Sequence, residues 1–348
     1  LLNPKDLINP YCKFCGTPPI EKKSEHFFLK LTAFEKKLKA WIKQQKTWRP
    51  NAINLTKNLL EQGLKDRAIT RDIDWGVDIP LKGLEGISPG LIGLGPKKIY
   101  VWFEAVCGYF TDCVNWAEQY NNKNSWENWW KNKKAWHYYI HGKDNIPFHT
   151  IIWPSILLGL NLHLPNQIVS SEYLTIESKK LSTSENWAIW IPDYLSKYDP
   201  DVLRYYLIIN GPETHDADFS WEKFIIRNNT ELVGTYGNLV NRFLGFTIKN
   251  FNGQIKKHEI DPEIEDKIKQ VFTTAGKLIE QAHLRDALKE IFSLAQFGNQ
   301  YIDQKEPWKI IKENRNKCQE ILFNVLQIVY ALPILLYPFL PFSSEKIF

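Results

Sequence analysis

The sequence of 348 residues contains no methionine, and it begins with Leu1. Residue 1 falls in what reads as the middle of a motif, so we expect an N-terminal part of the protein to precede it.

Cysteine is scarce and odd in number. The five cysteines are Cys12, Cys15, Cys107, Cys113 and Cys318. An odd count excludes a framework in which every cysteine is paired within the chain, and it favours a reducing compartment. We therefore predict a cytoplasmic location.

Long apolar runs and an opening signal peptide are also missing. The longest apolar stretch, 321–342, is interrupted by Asn324, Gln327 and three prolines, so it falls short of a membrane span. Hydrophobic residues make up 44% and charged residues 24%, an ordinary globular balance that excludes a largely disordered chain. The net charge of +5 is compatible with nucleic-acid binding but does not by itself indicate it.

Two patterns of secondary structure divide the chain. Its length predicts two or three domains. The apolar segments 98–103, 136–141 and 167–176 are predicted strands that alternate with helices, which indicates α/β structure with a parallel, doubly wound sheet of Rossmann-like type. These elements are predicted to form one half of a nucleotide-binding fold.

Long helices follow after about residue 220. One is predicted over 221–250, and a second begins at Asp261 as N-cap with Pro262 at the first helical position. The third, 284–304, carries an apolar face formed by Leu284, Ala287, Leu288, Ile291 and Ala295. This region is predicted to be an all-α bundle.

Cys12 and Cys15 form a C-x-x-C pair, and Gly16 after it permits a tight turn in which backbone amides face the thiolates. Tetrahedral zinc needs four ligands, and no second C-x-x-C pair occurs. The pair is therefore either half of a structural Zn²⁺ site or a redox or incidental pair.

A hydroxyl-rich loop with two lysines follows the third predicted strand. Its sequence is Lys179-Lys180-Leu181-Ser182-Thr183-Ser184. Ammonium and hydroxyl groups can orient and neutralise a leaving pyrophosphate without covalent chemistry. Composition alone favours the alternative, a solvated polar turn.

Within the segment 172–187, this loop resembles the Lys-Met-Ser-Lys-Ser signature of the class I aminoacyl-tRNA synthetases, in the form seen in methionyl enzymes. Segments 71–76, 100–109 and 142–149 resemble the same family in the same order, and the likeness extends over essentially the whole chain. It implies an enzyme that uses ATP with Mg²⁺ to join methionine to its tRNA through methionyl-adenylate. Positioning and charge would carry this chemistry without a protein nucleophile.

The resemblance also implies roles for single residues. The catalytic and ATP-binding contacts would come from Lys180, Ser182, Ser184, Gly142, Lys143 and Asp144. Thr183 departs from the signature, which has a second lysine at that place. The pyrophosphate contact is then weaker or supplied by another residue, and Lys179 is a candidate substitute.

The methionine pocket implied by the resemblance is formed by Trp102, Ala105, Val106, Tyr109 and His149. An apolar, aromatic slot suits an unbranched thioether, whose sulfur interacts favourably with ring edges. The alternative is that these residues are ordinary core.

Asn238 and Arg242 lie four residues apart, so both side chains project from one helix face. They resemble the family's anticodon readers, and Trp308 resembles the aromatic on which an anticodon base stacks. The implied partners are methionine-accepting tRNAs, both initiator and elongator. The alternative is a capping or salt-bridge role with a buried Trp308.

Four domains are expected from the resemblance. They are a zinc-knuckle or connective-peptide remnant (1–26), the second half of the Rossmann-like catalytic domain (27–170), a stem-contact region with the signature loop (171–219) and a helical anticodon-binding domain (220–348). Class I enzymes carry a His-Ile-Gly-His-like signature early in the chain, and no His-x-Gly-His occurs here. These 348 residues alone are therefore predicted to form no adenylate.

Other functions remain open at the level of sequence. A non-catalytic tRNA-binding protein could keep the bundle and lack the chemistry. A class I synthetase for leucine, valine or cysteine is a second alternative, which Trp102, Tyr109 and the three anticodon residues disfavour. A zinc-dependent nucleic-acid module would rest on Cys12 and Cys15 alone.

Overall fold

The computed structural model describes residues 7–8, 11–12, 15–20, 24–80, 97–120 and 123–348. They belong to two compact units. The first unit draws on 1–45, 53–137 and 146–166, and the second on 46–52, 138–145 and 167–348.

The first unit is built of short strands and helices. Its strands form antiparallel pairs: Leu7–Ile8 (β1) with Tyr11–Cys12 (β2), Phe28–Leu29 (β3) with Arg67–Ala68 (β4), and Thr70–Asp72 (β5) with Lys97–Ile99 (β6). Its helices are Glu35–Ile42 (α1), Pro50–Glu61 (α2, from residue 53 onward in this unit), Val101–Ala105 (α3), Gly108–Gln119 (α4), Glu127–Trp130 (α5) and Trp153–Leu160 (α6). Its most deeply buried side chains include Leu38, Leu60, Ile146, Trp153 and Leu157.

The prediction of a strand over 98–103 is wrong for the second half of that segment. The strand β6 ends at Ile99, and α3 begins at Val101 after the extended residue Tyr100. The Tyr100 carbonyl accepts hydrogen bonds from the amides of Phe103 and Glu104, which closes the first helical turn. A short apolar run fits a strand or a helix equally well, so its pattern could not separate the two.

The second unit contains a parallel pair of strands. Tyr138–Gly142 (β7) and Gln167–Ser171 (β8) pair in register, with Tyr138 opposite Gln167 and Gly142 opposite Ser171. The chain between them is helical as far as Leu160, in keeping with the crossover connection that parallel pairing requires. The predicted alternation of strand and helix is confirmed here.

The third predicted strand, 167–176, is two strands rather than one. After β8 the Glu172 amide donates to the Pro212 carbonyl, and the Tyr173 amide donates to Asp216. The chain then enters a second sheet as Leu174–Ile176 (β9), between Lys179–Lys180 (β10) and Ala217–Phe219 (β11). The backbone bonds at 172 and 173 divert the chain, and a continuous apolar pattern cannot reveal them.

Two helices accompany this three-stranded sheet, Ile191–Leu195 (α7) and Pro200–Ile209 (α8). Asp199 caps α8 by accepting from the Asp201 amide at 3.0 Å. A small apolar core joins these elements and consists of Ile176, Tyr194, Leu203, Tyr206, Phe219 and Phe224.

The rest of the second unit is helical, as predicted. Its helices are Trp221–Arg227 (α9), Asn238–Phe251 (α10), Pro262–Glu280 (α11), Leu284–Lys305 (α12), Pro307–Glu313 (α13), Arg315–Leu336 (α14) and Pro341–Ile347 (α15). The Asp261 side chain accepts from the Glu263 amide, which confirms the predicted cap of α11. The predicted apolar face of α12 is also confirmed, since Ala287, Leu288 and Ile291 are fully buried in the bundle core.

The segment 221–251 is helical throughout, but its middle is a π-helix, Asn228–Gly237. A Cβ atom at Gly234 would lie 2.9 Å from the Asn229 carbonyl oxygen, so the wider turn depends on glycine at that position. π-helical turns occur often at functional sites, and this one ends directly before Asn238.

Within the described part of the chain, α14 is the one helix long and apolar enough to cross a membrane by length and composition, with a mean hydropathy of 1.6. Pro333 lies inside it without ending it, so the helix is more continuous than the sequence suggested. Of its most apolar window, 61% is buried inside the protein, and Leu322, Val325 and Ile328 belong to the bundle core.

Candidate functional site

A lysine-centred cluster lies where β7 and β8 end. Gly142 and Ser171 are paired at the carboxyl ends of these parallel strands, the edge at which open α/β sheets bind ligands. Lys143 follows β7, and its ammonium lies 2.6 Å from Glu172 Oε2 and 2.9 Å from Asp216 Oδ1. The edge therefore carries one cation held between two carboxylates.

Asp144 joins the cluster through Tyr173, whose hydroxyl donates to Asp144 Oδ1 at 2.6 Å and whose ring lies 3.9 Å from the Lys143 ammonium. Hydrogen bonds to Glu172 and Asp216 raise the pKa of Lys143, and the bond from Lys143 lowers the pKa of Asp216. Lys143 thus stays cationic at neutral pH. Two of the predicted residues, Lys143 and Asp144, thus contact side chains of Glu172, Tyr173 and Asp216 that are distant in sequence.

Glu172 and Asp216, the two carboxylates that pair with Lys143, were not assigned from the sequence. Asn51 orients Glu172 by donating to its Oε1 at 2.8 Å, and the Ser170 hydroxyl donates to Asn51 Oδ1 at 2.5 Å. Glu172 is a charged residue inside the apolar run 167–176 that was predicted as a strand, and this exception to the pattern was the available signal. Asp216 lies 44 residues after Glu172 in sequence and Asn51 lies 121 residues before it, so no local pattern indicates either of them.

The signature loop begins with a two-residue hairpin turn between β9 and β10. Glu177 and Ser178 occupy this turn with φ of +47° and +63°. The Asp218 Oδ1 atom accepts from the Ser178 amide at 2.8 Å and from the Thr175 hydroxyl at 2.5 Å, and Glu177 Oε1 accepts from the Trp221 amide at 2.9 Å. These bonds offset the strain of left-handed backbone at two residues that have a Cβ.

The loop closes at its other end through Trp187. Backbone hydrogen bonds pair Ser182 with Trp187, and the indole nitrogen donates to the Ile176 carbonyl at 3.1 Å. The hydroxyl oxygens of Ser182 and Ser184 lie 3.1 Å apart, so two of the three predicted catalytic side chains touch.

The two lysines of the loop differ in their surroundings. The Lys179 ammonium lies 4.8 Å from the centre of the Trp187 ring. Lys180 is exposed, and within the described residues its ammonium has no ion-pair or ring partner. Thr183 is also exposed, and its carbonyl accepts from the Asn186 amide. Lys180 is therefore the better placed of the two lysines to meet a phosphate.

The predicted methionine slot lies in the first unit, on α3, α4 and a π-helix, Phe148–Ile152. The Tyr109 hydroxyl and His149 Nε2 are hydrogen-bonded at 2.8 Å, and burial raises the pKa of that hydroxyl. Trp102 is 53% exposed and lies 6.1 Å from the ring of Phe148. Ala105 is exposed, whereas Val106 and His149 are buried.

One face of the predicted methionine slot is more exposed to solvent than a hydrophobic core would be. Trp102, Ala105 and Tyr109 lie at helical spacing and are all exposed, so the alternative reading as ordinary core does not describe them. Phe148 and Trp153 were not assigned from the sequence, yet the first adjoins Trp102 and the second lies 6.4 Å from the Tyr109 ring.

The three residues predicted to read an anticodon meet in the bundle. Asn238 begins α10 and Arg242 follows one turn later, while Trp308 lies at the start of α13 and is 39% exposed. The Arg242 guanidinium lies 5.7 Å from the Trp308 ring centre. An exposed ring beside a cation and an amide is suited to an unpaired base.

This trio is held by α12. Asn238 donates to Asn299 Oδ1 at 3.0 Å, and Arg242 pairs with Asp303 Oδ1 at 2.5 Å. The Asn299 amide in turn donates to the Thr235 carbonyl of the π-helix. Arg242 therefore forms the salt bridge that was the alternative to an anticodon role, and it also lies beside Trp308 as the anticodon role requires.

A sequence profile described as tRNA synthetases class I (M) matches residues 1–244. The chain belongs to this family. Residues 252–348 match a second profile, described as the anticodon binding domain of methionyl tRNA ligase. The predicted succession of a class I catalytic fold and a helical anticodon domain is confirmed.

Curated relatives agree with this class I (M) assignment. Methionine--tRNA ligases of Bacillus mycoides (strain KBAB4) and Bacillus cereus (strain Q1) are each 46% identical over 351 residues, covering 100% of this chain and 62% of the relative. The chain therefore spans 62% of the length of these relatives.

Solved structures share the fold. The Mycobacterium tuberculosis methionyl-tRNA synthetase in complex with methionyl-adenylate has a TM-score of 0.80 and 23% identity, over 97% of this chain and 65% of that chain. The apo form of the same enzyme has a TM-score of 0.77 and 22% identity, over 97% and 64%.

The C-x-x-C pair of this class I (M) chain forms a tight turn. The Gly16 amide donates to the Cys12 carbonyl, and Gly16 has a φ of +69°. The Cys15 thiol is hydrogen-bonded to the Thr17 hydroxyl at 3.0 Å, which lowers its pKa, and a smaller contribution comes from Cys12. Across the described ranges, no group of three or more His, Cys, Asp or Glu side chains could hold a metal.

Proposed function

We propose that this chain is part of a methionyl-tRNA synthetase, which uses ATP to attach methionine to its tRNA. The observation that carries the proposal is the cluster around Lys143 at the carboxyl ends of β7 and β8, in a chain of the class I (M) family. A site of this kind suits a nucleotide because the strand ends present backbone and charged groups to one edge.

The first step forms the adenylate. A methionine carboxylate oxygen attacks the α-phosphorus of ATP in line, the bond from that phosphorus to the bridging oxygen breaks, and pyrophosphate leaves. Lys180, Ser182 and Ser184 neutralise and orient the departing pyrophosphate, while Gly142, Lys143 and Asp144 bind the adenylate. ATP enters as its magnesium complex, in which the metal shields the phosphate charge.

The second step charges the tRNA. A ribose hydroxyl of the terminal adenosine attacks the carbonyl carbon of the adenylate, the hydroxyl proton is lost, and AMP leaves. No protein nucleophile is needed, so catalysis depends on position and charge.

Methionine is held by Trp102, Ala105, Val106, Tyr109 and His149. The open aromatic face of Trp102 and Tyr109 supports this, because ring edges attract a thioether sulfur. The hydrogen bond between Tyr109 and His149 fixes both rings and so sets the shape of the slot.

The tRNA partners are the initiator and elongator methionine tRNAs, whose anticodon is read by Asn238, Arg242 and Trp308. The same proposal includes the four expected domains, with boundaries after residues 26, 170 and 219. It also includes a cytoplasmic location.

Cys12 and Cys15 are proposed as two thiolate ligands of a structural Zn²⁺. The lowered pKa of Cys15 and the tight turn at Gly16 fit this role, because zinc binds thiolates in such knuckles. The pair supplies half of a tetrahedral set.

Pyrophosphate exchange tests this function. The whole protein should exchange labelled pyrophosphate into ATP only when methionine is present, whereas these 348 residues alone should show no exchange. Lys180→Ala should lower kcat by roughly 10²–10³-fold, as expected when one preorganised cation is removed from a developing charge. Lys179→Ala is the matched control and should change kcat by less than about threefold, because its ammonium lies on Trp187.

Exchange driven by leucine or valine rather than methionine would contradict the substrate. A larger effect at Lys179 than at Lys180 would reverse the roles of the two lysines. No exchange with any amino acid would favour a non-catalytic tRNA-binding protein.

A further inference from the structure

A cavity of about 950 Å³ lies within the second unit, between the π-helix Asn228–Gly237 and the helices α8, α10 and α15. This volume is within the range of small-molecule sites. Each of the four elements contributes an apolar side chain to the wall, among them Val202, Leu232, Val240 and Ile347. Asn238 is the one lining residue with a role in the proposed function, and its amide donates to Asn299 on α12. Binding of ATP, methionine or an anticodon therefore does not account for the cavity.

Asp201 places a buried carboxylate at this cavity. The residue is 3% exposed, and its Oδ2 atom accepts a hydrogen bond from the Ser343 amide at 2.6 Å. The Oδ1 atom is buried and has no hydrogen-bond partner among the described residues. Within the same part of the chain, no ion pair includes Asp201. One oxygen of this carboxylate is therefore available to a donor that enters the cavity.

The Tyr236 hydroxyl is a second buried group without a partner. The residue is 5% exposed and lines the same cavity, and its hydroxyl oxygen forms no hydrogen bond with the described residues. Burial is the main cause that raises the pKa of Tyr236, and the charge of Asp201 raises it further. The effect of that charge indicates that the two groups lie near each other. Both therefore present acceptor oxygens to one cavity.

Two cationic side chains on the helices around the cavity are engaged elsewhere. Lys346 lies 3.2 Å from Asp199 Oδ2, and Arg204 donates to the carbonyls of Pro338 and Phe339. Unpaired acceptors in the interior are costly, because they have lost hydrogen bonds to water without replacement. An ammonium group supplies three donors and also the positive charge that this carboxylate lacks, whereas a hydroxyl supplies one donor and no charge.

The π-helix shapes one wall of the cavity. Gly234 and Gly237 both belong to that wall, so no side chain extends into the cavity from these positions. A Cβ atom at Gly234 would lie 2.9 Å from the Asn229 carbonyl oxygen, and one at Gly237 would lie 3.3 Å from the Leu232 carbonyl oxygen. The wide turns therefore depend on glycine, and turns of this kind occur often at functional sites.

We propose that this cavity is a binding site for a primary alkylamine, whose ammonium group donates to Asp201 Oδ1 and to the Tyr236 hydroxyl oxygen. The carbon chain of the amine packs against apolar side chains of the wall such as Val202, Leu232 and Val240. The inference goes beyond the proposed function and does not depend on adenylate formation or on tRNA binding.

Titration of this chain with n-butylamine, in a buffer free of other amines, tests the proposal. Calorimetry measures the affinity, and the amide resonances of residues 201 and 232–240 report where the amine binds. The wild type should bind n-butylamine at one site and shift these resonances. It should bind n-butanol at least about tenfold more weakly, because a hydrogen bond to a charged group is stronger than one between neutral groups.

Variants locate the anchor of the amine. Asp201→Asn keeps an oxygen for the Ser343 amide but removes the charge, and it should lose about tenfold or more in affinity for n-butylamine. Tyr236→Phe removes one neutral acceptor and should lose about two- to tenfold. Asp199→Asn is the matched control, because asparagine keeps the helix cap and Asp199 already pairs with Lys346. It should lose less than about threefold.

Three results would overturn the proposal. The first is equal affinity of the wild type for n-butylamine and n-butanol, a comparison that needs no variant. The second is an unchanged affinity of Asp201→Asn, or an equal loss in Asp199→Asn, which would indicate general attraction to negative charge. The third is the absence of any shift of the cavity resonances at high n-butylamine. None of these results bears on pyrophosphate exchange, so the proposed function is tested separately.

Discussion

His137 in the first unit is half-buried, and we expect its ionisation to affect the stability of the fold. Its ring lies 4.9 Å from the ring of Trp130 and 4.8 Å from that of His163, and Nε2 is hydrogen-bonded to the Trp129 carbonyl at 2.9 Å. Burial is the main cause that lowers its pKa, and the charge of His163 lowers it further.

The sign of the pH dependence follows. Because the pKa of His137 is lower in the folded state, the unfolded chain binds more protons near pH 6.5, and stability rises with pH there. The free energy of unfolding should therefore fall as the pH drops below the unfolded pKa, and His137→Phe should show a shallower fall. Urea titrations at several pH values measure this.

His215→Phe serves as the control for His137, because His215 is exposed. Its free energy of unfolding should change with pH as that of the wild type does. If the free energy of unfolding of His137→Phe falls with decreasing pH as steeply as that of the wild type, the imidazole of His137 does not cause the loss of stability at acidic pH.

At the level of residues, sequence could place side chains on a common face but not find partners far along the chain. Spacing alone indicates that Asn238 and Arg242 share a face. Trp308 is separated from Arg242 by 66 positions, and only the resemblance to a family connected them before the structure brought them within 5.7 Å. Asp303, which pairs with Arg242, gave no signal of its own.

Two glycines inside helices of the bundle differ in the space available for an added Cβ atom. An added Cβ at Gly276 in α11 meets nothing within 4 Å, whereas one at Gly298 in α12 meets Leu239 Cδ2 at 2.8 Å and Ile328 Cγ2 at 3.2 Å. Gly276→Ala should stabilise by roughly 0.5–1 kcal/mol through helix propensity. Gly298→Ala should destabilise by about 1 kcal/mol, because overpacking a filled core outweighs that gain.

Denaturant unfolding of the two variants measures this difference directly. The pair controls for the chemistry of the substitution, so only the environment differs. Equal shifts of the midpoint in both variants would contradict the close approach of α12 to its neighbours.

At the level of elements, long amphipathic helices were predictable and short segments were not. The cap at Asp261 and the apolar face of α12 carry redundant signals that agree with each other. The segment 98–103 carries one ambiguous apolar run, and the segment 167–176 is divided by backbone bonds to Pro212 and Asp216. Hydrogen bonds within the first helical turn decided the first case, and hydrogen bonds to residues distant in sequence decided the second.

The whole molecule combines an α/β part with a helical bundle, and the family match covers both. That succession could be predicted because each part has its own hydrophobic period. The second unit holds the Lys143 cluster, the signature loop and the anticodon trio, so the groups proposed for ATP and tRNA share one compact body.

Binding of tRNA to this chain tests the central claim most directly. Affinity is measured at fixed salt for a methionine tRNA and for the same tRNA with one anticodon base changed, with Trp308→Ala beside the wild type. The account predicts that the matched tRNA binds more tightly than the altered one and that Trp308→Ala loses the stacking contribution to tRNA binding, about 1–3 kcal/mol. Trp116→Ala, which removes an exposed tryptophan elsewhere, should retain it. Equal binding of the two tRNAs by the wild-type chain would contradict the account.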